Sequence, residues 1–191
     1  MSVSAIILAG GRATRMGGVD KGLVQFKSKP LIDHVISRLT PQVDEIIINA
    51  NREIAQYTTF GYQVLQDEII DYPGPLAGIL LGLKYAKNDL VLCVPCDSPL
   101  LPDNLVQQLK TALIKDSADI AVATCNGNTH PVFCLCKKSL LPSLESFLAE
   151  GNRKVSAWQK SQKYMEVDFG NDHVGFENLN SQQDITKLES K

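Results

Sequence analysis

The chain has no large excess of charge of either sign: 19 lysines and arginines stand against 21 aspartates and glutamates, a formal net charge of -2 with a pI near 5.9. That balance argues against a nucleic-acid partner held mainly by phosphate neutralisation, so any anionic ligand must be met by cations gathered locally. No apolar run is long enough to span a bilayer, and no basic stretch leads into a signal-peptide core, so no membrane partner and a cytoplasmic location are expected. Repeats, low-complexity segments and linkers are also missing from the 191 residues, and one domain covering 1–191 is expected. Hydrophobic residues at 44% and charged residues at 21% lie near the globular average, which allows one substantial core.

A disulfide framework is absent too. The five cysteines, Cys93, Cys96, Cys125, Cys134 and Cys136, are odd in number and set in apolar runs, where cysteine packs as a small hydrophobe. Cys93 and Cys96 have C-x-x-C spacing, which is open to a redox or metal role, but Leu90-Val91-Leu92-Cys93-Val94 reads as a buried strand. Cys134 and Cys136, two apart, fall on one face of another. No His/Cys/Glu cluster offers a closed zinc site, and no Ser-His-Asp spacing recommends acyl transfer.

What the chain does have is a one-sided loop near its start. Ala5-Ile6-Ile7-Leu8 is a short apolar run of strand character that breaks at Gly10-Gly11. Arg12, Arg15 and Lys21 then supply cations, while Gly10, Gly11, Gly17 and Gly18 let backbone N–H groups approach a ligand closely. Phosphates suit that combination, although a glycine-rich surface turn with solvated charges would read the same way from the glycines alone. Neither the dinucleotide spacing G-x-G-x-x-G nor the P-loop spacing G-x-x-x-x-G-K-[ST] occurs between Gly10 and Lys21.

Beyond the loop, strands and helices alternate. Strands are expected over 45–49, 62–66, 89–94, 119–124, 131–136 and 164–169, with a short extended piece at 23–26. Helices are expected from Pro30 to about residue 40, over 76–83, over 102–114 with Asp103 in the first turn, and over 140–149, 153–160 and 181–189. Leu31, Ile32, Val35, Ile36 and Leu39 form one apolar stripe, with His34 as a partly exposed helix histidine. Gly78 and Gly82 inside a helix imply close packing or close ligand approach. The alternation means a three-layer α/β/α domain with a mostly parallel sheet.

Parallel strands deliver their carboxyl ends to one edge, where open α/β sheets bind ligands. Polar groups fall there in succession: the loop from Gly10 to Lys21, then Asn49 with Asn51, Asp67 and Asp97. Asp97 could hold magnesium beside phosphate oxygens, since one or two carboxylates plus substrate suffice for that ion. It could also cap a turn, and Asn49 and Asn51 could serve turn geometry.

The stretch Leu8-Ala9-Gly10-Gly11 through Arg15-Met16-Gly17 to Asp20-Lys21 resembles the nucleotidyltransferase signature L-A-G-G-x-x-x-R-M-G-x-D-K, with one extra glycine before Val19. Within that group the resemblance is to the molybdenum cofactor guanylyltransferases. It extends over Asn49-Ala50-Asn51, Asp71-Tyr72-Pro73-Gly74-Pro75-Leu76-Ala77-Gly78 and Pro95-Cys96-Asp97-Ser98-Pro99, and more thinly over His130-Pro131 and residues 176–180. The resemblance implies a Rossmann-like nucleotidyltransferase domain that moves GMP from GTP to the terminal phosphate of molybdenum-molybdopterin and releases pyrophosphate. It implies Leu8, Ala9, Gly10 and Gly11 against the nucleotide, Asn49, Asp67 and Gly78 around the nucleoside, Arg15 and Lys21 on phosphates, Asp97 on Mg2+, and Asn178 with Asn180 near the pterin. Helix capping ahead of Gln182 and Gln183 explains those two asparagines as well. Molybdoenzyme acceptors or their chaperones would follow as partners. A cytidylyl relative, a sugar-nucleotide pyrophosphorylase and a non-catalytic GTP-binding module are the rival readings. Gly10, where the cytidylyl relatives typically carry alanine, favours guanylyl transfer.

Overall fold

The structure, a computed structural model, describes residues 1–11, 20–69, 74–171 and 173–189. Arg12, Arg15, Gly17, Gly18, Asp71, Tyr72 and Pro73 lie outside the described residues. In chain order the elements are β1 (Val3–Leu8), β2 (Gln25–Phe26), β3 (Lys29–Pro30), α1 (Leu31–Leu39), β4 (Glu45–Asn49), α2 (Ile54–Thr58), β5 (Gln63–Leu65), α3 (Pro75–Tyr85) and β6 (Leu90–Pro95). The second half runs α4 (Leu105–Lys115), β7 (Ile120–Cys125), β8 (Asn128–Lys137), α5 (Leu141–Ala149), α6 (Val155–Lys160), β9 (Tyr164–Asp168), α7 (His173–Phe176) and α8 (Gln182–Glu189).

Seven strands form one sheet in the order β5-β4-β1-β6-β8-β7-β9. Every pairing is parallel except those of β8, which runs antiparallel to β6 and β7. The Asn126-Gly127 turn makes this reversal possible, because both residues hold the positive φ that a two-residue hairpin loop requires. β1 sits centrally, and its side chains alternate between two cores as strand geometry demands. Ala5 and Ile7 pack in one core with Ile32, Val35 and Leu39 of α1 and Leu105 and Leu109 of α4. Ile6 packs in the other with Leu76, Ile79 and Leu83 of α3 and Leu144 of α5. The expected three layers and mostly parallel sheet are therefore present.

α3 is buried almost all round, and its glycines explain how closely it approaches the sheet. A Cβ at Gly82 would meet Ile6 Cγ2 at 2.8 Å, and one at Gly78 would meet Leu8 Cδ2 at 2.4 Å. Such contacts are too short for a methyl group, so packing accounts for both residues.

Several expectations need correction. α4 begins at Leu105, so Asp103 precedes the helix; a turn closed by the Leu105 N–H on the Pro102 carbonyl comes first, and Asp103 pairs with Arg38 at 2.8 Å. Pro30 ends β3 rather than starting α1, because it pairs with Gln25 across a hairpin whose turn, Lys27-Ser28, has positive φ at both residues. The extended piece expected over 23–26 begins only at Val24, since Lys21–Leu23 form a single 3-10 turn. α2 and α7 have five and four residues, too few for a helical stripe to be read. Among the described residues, no helix is long and apolar enough to cross a membrane.

Candidate active site

The parallel ladder extends past the strand ends: the Ala9 N–H donates to the Asn49 carbonyl at 2.8 Å, and the Cys96 N–H to the Leu8 carbonyl at 3.1 Å. Beyond that edge lies a cleft of about 590 Å³ whose lining includes Leu8, Ala9, Gly10, Gly11, Asn49, Asp67 and Asp97. Thus the ends of β1, β4, β5 and β6 do converge, as the strand pattern implied. Lys21 and Asn178 line the same cleft.

One side of it is an amide–carboxylate network. Asn49 Nδ2 donates to Asp67 Oδ1 at 2.9 Å and Asn51 Nδ2 to Asp67 Oδ2 at 2.7 Å, while Asn51 Oδ1 accepts the Asp67 backbone N–H at 2.8 Å. Asn51 also donates to the Gly10 carbonyl at 3.0 Å. A Cβ at Gly10 would sit 2.9 Å from Asn51 Nδ2 and 3.0 Å from Asn49 Oδ1, so the glycine makes room for this network. Each carboxylate oxygen of Asp67 has a second lone pair left for a ligand.

On the other side, the Lys21 ammonium meets Asp97 Oδ2 at 2.7 Å and also donates to Asn180 Oδ1. Ser98 Oγ donates to Asn178 Oδ1 at 2.7 Å, and the Leu179 N–H to the Asp97 carbonyl at 2.9 Å. The segment 178–180 is held there by a satellite core in which Leu179, Ile185 and Leu188 pack against Phe26 and Leu31. Capping of α8 falls elsewhere: Asp184 Oδ2 accepts the Asn180 and Ser181 N–H groups, and Ser181 Oγ accepts the Asp184 N–H. The side chain of Asn178 is thus committed to the cleft wall through Ser98 and that of Asn180 to Lys21, while Asp97 pairs with Lys21 rather than capping a helix start.

The residues fit a hard divalent cation of one kind only. Among the described residues no group of three or more His, Cys, Asp or Glu could hold a metal, so a protein cage is out of reach. Asp97, 5% exposed yet on the cleft lining, suits an ion that takes its remaining oxygens from phosphate and water.

Some expected residues stand apart from the cleft. Gly78 is behind the wall, against Leu8 and Asn49. His130 stacks on Phe176 with centroids 4.8 Å apart, and burial holds its pKa below the usual histidine value. All five cysteines are buried, and burial pushes the thiol of Cys96, itself on the cleft lining, well up. Asn51 stands at the expected strand end beside Asn49, but the sequence gives it no role of its own, although the N-A-N pairing was its signal. Asp20, which adjoins Lys21 on the lining, is unmarked in the sequence beyond its place in the signature, and Tyr57 and Arg52 carry no local signal.

The MobA-like NTP transferase domain matches residues 5–164. A molybdenum cofactor guanylyltransferase of Haemophilus influenzae is 43% identical over 98% of this chain and 97% of its own length. The chain belongs to this family of NTP transferases. A second molybdenum cofactor guanylyltransferase, from Shewanella putrefaciens, is 46% identical over 95% of this chain and 93% of its own. Among solved structures, molybdopterin-guanine dinucleotide biosynthesis protein A from Archaeoglobus fulgidus superposes with a TM-score of 0.77 at 19% identity, covering 98% of this chain and 97% of that one. At that identity the superposition establishes the shared fold, and it is the residues of the cleft that bear on chemistry.

Proposed function

We propose that this transferase moves GMP from GTP to the terminal phosphate of molybdenum-molybdopterin. The observation that carries the reading is the two-sided cleft: a carboxylate held by two amides at one wall, and a lysine–carboxylate pair with two asparagines at the other. An oxygen of the acceptor's terminal phosphate attacks the α-phosphorus of GTP. A new P–O bond forms as the bond from the α-phosphorus to the bridging oxygen breaks, and pyrophosphate leaves with that electron pair. The nucleophile is already anionic at neutral pH, so the protein's task is alignment and charge neutralisation.

Lys21 serves the phosphates, with Arg15 assigned the same part from the signature. Asp97 would hold magnesium, which when bound neutralises phosphate oxygens. Leu8, Ala9, Gly10 and Gly11 lie along the nucleotide, and Asn178 and Asn180 face the pterin substrate. Delivery of the product to molybdoenzymes or their chaperones belongs to the same reading.

Asp67 reads the base. Guanine presents donors at N1 and its exocyclic amine, which the free lone pairs of one carboxylate accept together. Adenine would turn an acceptor toward it, and sites that leave such a group unpaired can discriminate by roughly 10⁴. Transfer measured with GTP, ATP and CTP on Asp67→Ala tests this. The Michaelis constant for GTP rises and its advantage narrows; an unaltered ranking of triphosphates would place base recognition elsewhere.

A further inference from the structure

Lys21 belongs to a short turn whose flanking residues, Asp20 and Gly22, both meet one buried hydroxyl. Asp20 is 4% exposed, and its carboxylate accepts from the Tyr57 hydroxyl and the Gly22 backbone N–H, with the Arg52 guanidinium 3.7 Å away. Gly22 meets the same group: a Cβ there would lie 2.6 Å from the Tyr57 oxygen and 3.3 Å from its ring. Tyr57 is fully buried on α2 and does not line the cleft. One hydroxyl therefore holds the residue before Lys21 and leaves space for only a hydrogen on the residue after it.

Packing alone does not explain the arrangement. Phenylalanine would fill the same space at residue 57 without a polar atom to satisfy, and burying a carboxylate is costly wherever a neutral side chain would do. Burial indeed pushes the Asp20 carboxyl above its usual range, with the Tyr57 hydroxyl and Arg52 acting against the rise. A strained charge is tolerated here, next to the lysine that the cleft presents.

We propose that Tyr57, through Asp20 and Gly22, is a positioning residue for the nucleotide phosphates: its hydroxyl fixes the turn that aims the Lys21 ammonium into the cleft beside Asp97. The proposal rests on the reading above that Lys21 engages those phosphates. It predicts that Tyr57 matters only while Lys21 is present.

GTP with magnesium and no pterin acceptor is not consumed by the proposed transfer, so titration calorimetry reads its affinity at equilibrium, with thermal melting recorded alongside. Lys21→Ala weakens binding. Tyr57→Phe weakens it about 10-fold, the worth of one hydrogen bond to a charged group. In the Lys21→Ala chain the same change costs less than about twofold, because two residues acting as a unit do not add. Undiminished affinity in Lys21→Ala would overturn the underlying reading. Loss in Lys21→Ala with Tyr57→Phe matching the parent, or with Tyr57→Phe equally costly in both backgrounds, would overturn the positioning role alone. If Tyr57→Phe does not fold, Gly22→Ala carries the same cycle, since its methyl strikes the hydroxyl while leaving both Asp20 and Tyr57 in place; its cost too must vanish without Lys21.

Discussion

Asp97 and Lys21 show what single residues can reveal of themselves and what they cannot. Both stood out as charged side chains after buried strand or glycine loop, and the structure joins them at 2.7 Å across 76 positions. Asp97→Asn keeps the shape of the side chain while making a poor ligand for magnesium among phosphates. Transfer activity is expected to fall about 100-fold or more, the scale of lost metal-site residues, with partial recovery at raised magnesium. Full activity at ordinary magnesium would take Asp97 out of the reaction. Asp20 and Tyr57 were not legible, because their role is a relation between two side chains 37 residues apart and neither sequence neighbourhood hints at the other. Asn51 was half legible: its amide was visible, but not that it bridges Gly10 and Asp67.

Among the elements, α3 carries the sharpest contrast. Gly78 and Gly82 occupy the same helix face one turn apart, and a methyl at either collides with β1. Overpacking of this kind costs about 1–3 kcal/mol, so Gly78→Ala and Gly82→Ala both lower the melting temperature. They part in function. A methyl at Gly78 would also come 2.6 Å from Asn49 Oδ1 and displace the amide that holds Asp67, whereas the nearest atoms to one at Gly82 belong to Ile6 and Val91. GTP affinity measured well below the melting temperature therefore drops in Gly78→Ala and stays near the parent's in Gly82→Ala. Equal affinities in the two would mean that Asn49 is not coupled to the base. Strand runs and the apolar stripe of α1 were readable because burial on two faces, or on one, imposes a period on the chain. Short α2 and α7 impose none, and of the antiparallel course of β8 the Asn126-Gly127 turn encodes the pairing with β7 but not that with β6.

At the scale of the whole molecule, acid should unfold the chain through a few anchored carboxylates. Burial works to raise the pKa of Glu45, but the Ser4 hydroxyl and Lys87 outweigh it and hold it below the usual range. Hydrogen bonds from Lys84 and Tyr85 lower Glu68, and those around Ser181 lower Asp184. A depressed folded-state pKa gives stability that is present above the unfolded value and lost as pH falls through the folded one. Melting temperature is thus expected to hold near neutrality and to decline once the pH drops below about 4. Asp20 opposes the trend, since its raised pKa makes the ionised form the costly one. Glu45→Gln should flatten the decline; a variant that melts along the parent's pH curve would remove Glu45 from the balance.

The strand that completes the sheet, β9, ends at Asp168, but the cleft is not complete until Asn178 and Asn180 have docked beside Ser98 and Lys21. Those ten or so residues correspond to about a second of ribosomal synthesis. A nascent chain therefore owns its finished scaffold before it owns a working centre. Messages broken between the codons for these two points would yield proteins that hold every strand of the sheet yet lack the residues that close the cleft, with Phe26 and Leu31 left uncovered for quality control to recognise.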